Sequence, residues 1–125
     1  MNGNQIYDTI KNVLSVLGRF HTLEIYKYAI YHEFSDNNMI LRIDHTVDMK
    51  YKNHVIGKFT FDFNFTDHDT VLQLHNIDEN DEELINRNLE IFKNHVILCG
   101  IKNAFFVNIG KNRGGVLVSK IHILA

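Results

Sequence analysis

Eight side chains of this chain could do recognition chemistry together if the strands carrying them line up. Tyr31, Arg42, Thr60 and His75 form one expected row, Asp44 and Lys58 a second, and Asp62 and Gln73 a third. An arginine, a tyrosine, a histidine and carboxylates within reach of one another suit a small polar or anionic ligand. Facing Asp44 against Lys58, with Arg42 diagonal to Asp62, would also serve a solvated sheet face, where each cross-strand ion pair contributes only a few tenths of a kcal/mol. Asp44 and Asp62 could form an acid–base pair, but in this arrangement each has a cation beside it, and a working pair has one raised pKa.

A second basic group is Lys111 and Arg113, in the glycine-rich segment Gly110–Gly115. Glycines expose backbone N–H groups that can cradle an anion. The segment lacks the Gly-x-x-x-x-Gly-Lys-Ser/Thr spacing and joins two strand-like stretches, so it reads as a hairpin tip. Eight histidines are present, none at the i, i+4 spacing of a helical metal pair, and the best local cluster, Asp67–His68–Asp69, falls in a turn. No metal or cofactor is expected. Cys99 falls on the apolar stripe of a helix near its C-terminus and reads as a small buried hydrophobe.

These residues depend on strands for their position. In Lys58–Thr66, Phe59, Phe61, Phe63 and Phe65 recur at period two, which only an extended strand sorts onto one face. Strands are expected over about 22–34, 39–48, 54–66 and 70–77. With turns at Asp36/Asn37, Tyr51 and Asp67/His68, Ile43 faces Phe59, Leu41 faces Phe61 and Phe63 faces Leu72, all with apolar residues on one side. Helices are expected over 4–17, where Ile6, Ile10, Val13, Leu14 and Leu17 make a stripe, and over 81–99, opened by an Asn80/Glu83 capping box. A hairpin of 103–109 and 116–124 closes the chain, its second strand apolar enough to be central. The expected fold is α+β: one domain over 1–125, with a mainly antiparallel sheet of about six strands in the order α-β-β-β-β-α-β-β. Both helices would cover its Phe face.

Composition narrows the function. The chain has 125 residues, a net charge of −2 and one cysteine, and no apolar run of membrane-spanning length. No leader is visible, and a cytoplasmic setting is expected. The interleaved charges argue against broad electrostatic binding of nucleic acid, so a nucleic-acid partner is not expected unless Lys111, Arg113 and Lys120 make a local site. The leading expectation is a non-catalytic protein-interaction module of the inhibitor, immunity, anti-defence, chaperone or assembly type. It would dock through the polar sheet face or an edge, as a homodimer or on another protein. The alternative is a small-ligand binder or enzyme built around Tyr31, Arg42, Asp62 and His75. The element order is similar to that of type III secretion chaperones and phage tail-terminator proteins, a likeness of pattern that carries no residue across.

Overall fold

A computed structural model describes residues 1–124. Three helices flank a mixed five-stranded sheet: α1 (Gly3–Leu17), α2 (Leu23–Asp36), β1 (Leu41–Tyr51), β2 (His54–Phe65), β3 (Thr70–His75), α3 (Glu82–Leu98), β4 (Asn103–Ile109) and β5 (Val116–His122). Sheet order follows chain order, and all neighbours are antiparallel except β3 and β4, which run parallel around the α3 crossover. No helix among the described residues is long and apolar enough to cross a membrane.

The expected strand over 22–34 is helix α2. Thr22 accepts from the Ile25 N–H as its N-cap, and Tyr26, Ile30 and Phe34 recur at i, i+4, i+8 on its buried face. Aromatic and β-branched content had suggested a strand, but this periodicity and the cap prevail. The first of the four meander strands is therefore lost, and five strands stand where about six were expected. The final strand also differs: β5 is an edge, and β4 is the one covered on both faces, with Ala104–Ile109 all buried. The other two helices lie within a residue of their expected bounds, although Asp81, not Asn80, caps α3.

The β1–β2 register is shifted from the expected one. Tyr51 pairs with His54 across a two-residue turn at Lys52 and Asn53, both at positive φ (47° and 68°), and a bulge follows at Met49/Lys50. Ile43 consequently faces Phe63, and Leu41 faces Phe65. The Phe63–Leu72 pairing is as expected.

Contrary to the single-face expectation, the Phe series changes partners midway. Phe63 and Phe65 pack in a core under α1 and α2, with ring centroids 6.3 and 5.0 Å from Phe34. Phe61 belongs to a second core under α3, 6.0 Å from Phe92, and Phe59 packs against it. The helices accordingly cover both faces of the sheet rather than one. The change falls at Asp62: the β1–β2 ladder skips the Asp44/Asp62 position, and Asp44 has φ 55°.

A double-mutant cycle tests this split. Phe61→Ala and Phe92→Ala should each cost about 3–5 kcal/mol and couple by roughly 0.5–1.5 kcal/mol in urea denaturation, whereas Phe61→Ala and Phe34→Ala should be additive. Coupling of Phe61 to Phe34 instead would place Phe61 in the other core.

Candidate functional site

The sheet opens where β2 leaves β3. Their ladder covers only Phe63–Phe65 against Thr70–Leu72. Beyond it, side chains replace backbone: the Asp62 N–H donates to Gln73 Oε1 at 3.0 Å, and the Leu74 N–H donates to Asp62 Oδ2 at 2.7 Å. A buried N–H left unpaired costs about 1–3 kcal/mol, so Asp62 and Gln73 hold the gap open while satisfying its two donors.

Lys27, from the buried side of α2, closes the group. Its ammonium donates to Asp44 Oδ1 and lies 3.4 Å from Asp62 Oδ1. The lysine side chain is 10% exposed, Asp62 15% and Asp44 49%. Burial pulls the Lys27 pKa down, but the Asp44 hydrogen bond and the two carboxylate charges outweigh it, so the ammonium titrates above its usual 10.5. Burial raises the Asp62 carboxyl above its usual 3.8, and the Leu74 N–H and Lys27 do not fully cancel this. One cation between two carboxylates leaves the group with a net charge of about −1.

Gln73 and His75 come from the next strand. The His75 ring stacks on Phe106 with centroids 4.4 Å apart, and its Nδ1 is buried without a hydrogen-bond partner. Burial lowers its pKa below the ordinary 6.5, which favours the neutral ring.

The structure separates the other expected residues. Tyr31 sits on α2, edge-on to His32 at 5.4 Å, and joins no sheet row. Arg42 is exposed, pairs with Asn64 in the ladder, and has no side-chain partner among the described residues. Thr60 faces Thr46, their hydroxyls 2.8 Å apart. Lys58 pairs with Asp48 at 3.2 Å, not with Asp44, because the register is shifted. Lys111 and Arg113 do occupy a tip between strands. Its Asn112 and Arg113 N–H groups are taken by the Glu79 carboxylate at 3.1 Å, so an internal anion fills the glycine cradle. A Cβ at Gly110 would meet Glu79 Oε2 at 1.7 Å, so a larger residue there would displace the carboxylate from the tip. Sequence reasoning missed Lys27 because its segment was taken for a strand. The available signal was its position at i+3 from Glu24, on a helix capped by Thr22.

Replacing Lys27 by Met should cost roughly 2 kcal/mol in urea denaturation, less than the about 3–5 kcal/mol of a fully buried pair because Asp44 is half in water. Adding Asp62→Asn should recover part of that loss, and additive losses would contradict a direct pairing. His75 has a lowered pKa, so its contribution is complete above pH 6.5 and is lost as pH falls through the folded value. The His75→Phe variant should therefore lose less stability than the parent between pH 6.5 and 4.5. Equal acid slopes would contradict burial of the neutral ring.

A family model described as the PD-(D/E)XK nuclease superfamily matches residues 2–116. No curated protein and no solved structure matches the chain. The superfamily's name spells Pro-Asp followed by an Asp/Glu-x-Lys triplet. Asp62, preceded by Phe61 rather than proline, is hydrogen-bonded to Gln73 and Leu74 on the adjoining strand. The one literal Asp-x-Lys, Asp48–Met49–Lys50, lies on β1 ahead of Asp62, and there Asp48 is engaged by Lys58. Position 73 carries no acid and position 75 no lysine, and the ammonium nearest Asp62 comes from α2. Paired acids in a nuclease motif imply a divalent cation. The residues here do not fit one: no three His, Cys, Asp or Glu side chains converge among the described residues, and Lys27 already lies between the carboxylates. The match overturns two expectations, a purely protein-binding, non-catalytic module and an improbable nucleic-acid partner. Net charge misled because it averages over a surface on which charges can gather locally. The chain belongs to the PD-(D/E)XK nuclease superfamily.

Proposed function

We propose that the protein acts on nucleic acid and that its site is the Asp62, Gln73 and Lys27 group at the parting of β2 and β3. The observation that carries this reading is the contact of Asp62 with Gln73 and Leu74 across two strands of a chain that a nuclease-superfamily model covers almost entirely. The substrate is a phosphodiester strand. Asp62, made more basic by burial, accepts a proton from the attacking water as its oxygen bonds to phosphorus; the bond from phosphorus to the leaving sugar oxygen breaks, and that oxygen takes up a proton from solvent. Lys27 takes the place of the motif lysine and, with the Gln73 amide, donates to the phosphoryl oxygens. Asp44 positions Lys27. His75 supports the strand that carries Gln73. A cytoplasmic setting, suggested by the lone cysteine, belongs to the same proposal.

The test is a cleavage assay on labelled single- and double-stranded DNA and RNA. The expected result is slow hydrolysis that survives EDTA and is lost in Asp62→Asn and Lys27→Met. Absence of cleavage of all four substrates, with or without magnesium, would contradict the reading. Metal binding gives a separate measure. Manganese should not shift the melting temperature of the parent, but it should raise that of Lys27→Met/Gln73→Glu, where three carboxylates lose their internal cation. A raised parent melting temperature at micromolar manganese would show that Lys27 gives way to a metal.

A further inference from the structure

A cleft of about 400 Å³ lies between the α1–α2 turn and the β4–β5 tip. Its walls include Lys11, Arg19, His21, Lys111 and Arg113, together with the ring of Phe20, and no aspartate or glutamate lines it. Lys11, Arg19, Lys111 and Arg113 are exposed, and among the described residues none has a carboxylate within ion-pair distance. Four cations with no ion-pair partner among the described residues thus share one concavity on a chain whose net charge is −2. Arg19 is held in place by donating to the Asn112 carbonyl at 2.6 Å, which ties the α1–α2 turn to the tip. The tip's amides are spent on Glu79, so an anion here would be held by side chains.

Phe20 adds a second, independent feature. It is 79% exposed, and its backbone sits at φ 71°, where a bulky L-residue is strained. The Arg19 guanidinium carbon lies 4.9 Å from its ring centroid, so cation and aromatic face are presented together.

We infer that this cleft binds single-stranded nucleic acid, with backbone phosphates on the four cations and one unpaired base stacked on Phe20. Stacking on an exposed ring requires a base free of its partner, which selects a single strand over a duplex. The inference rests on the nucleic-acid reading above.

Fluorescence anisotropy of the full chain with a labelled oligothymidylate tests it. Phe20→Ala, and Phe20→Leu as a variant keeping bulk, should each weaken binding about tenfold with no change in salt dependence. Lys111→Ala/Arg113→Ala should reduce the slope of log K against log salt by about 1.4, at roughly 0.7 for each phosphate no longer neutralised. Competing duplex should displace the oligonucleotide poorly. If the parent binds and these variants bind equally well, the cleft is refuted while the nucleic-acid function stands. If the parent binds no nucleic acid, both fall. Displacement of the oligonucleotide by adenosine monophosphate or inorganic phosphate at equal concentration would refute the single-strand assignment and make the cleft a small-anion site.

Discussion

The parting of β2 from β3 at Asp62 is the constraint from which the rest of the structure follows. A sheet that opens exposes backbone donors, and each needs a partner. Here the carboxylate of one strand and the amide of the other supply them, so the opening is a defined geometry and not a frayed edge. The aromatic series changes cores at the same residue, with Phe61 under α3 and Phe63 under α1 and α2. Helices on both faces then become necessary, and α2 is brought close enough for Lys27 to reach the gap.

That reach decides the electrostatics. A buried carboxylate without a counter-charge would be strongly disfavoured, and Lys27 supplies the charge from within the fold. The motif that names the superfamily follows its aspartate with an acid and a lysine. The strand beside Asp62 carries an amide, Gln73, and an imidazole, His75, and the positive charge enters from the helix. With an amide rather than a carboxylate at position 73, the group holds two carboxylates, and Lys27 offsets one of their charges.

The strand periodicity at 58–66, the helical stripes at 6–17 and 85–96, and the glycine tip were legible because each is a local pattern. The identity of 22–34 was not, since Tyr26, Ile30 and Phe34 satisfy strand composition as well as helical spacing, and the turn that would have decided it lay in the Thr22 cap. The β1–β2 register was misread because the true turn uses Lys52 and Asn53 at positive φ without glycine. Asp62, Gln73 and His75 lie on neighbouring strands as their alternation predicts, but the tie of Asp62 to Gln73 and Leu74 through side chains replacing ladder bonds has no sequence signature. Arg42, Thr60, Lys58 and Tyr31 lost their places in the group when the register and the helix were corrected.

The most direct test is an NMR pH titration of the Leu74 amide. If Asp62 accepts its N–H across the gap, the Leu74 amide proton should shift with a single midpoint above the usual aspartate value of 3.8, and that midpoint should rise further in Lys27→Met. An amide that does not respond, or a midpoint at or below 3.8 in the parent, would contradict the account.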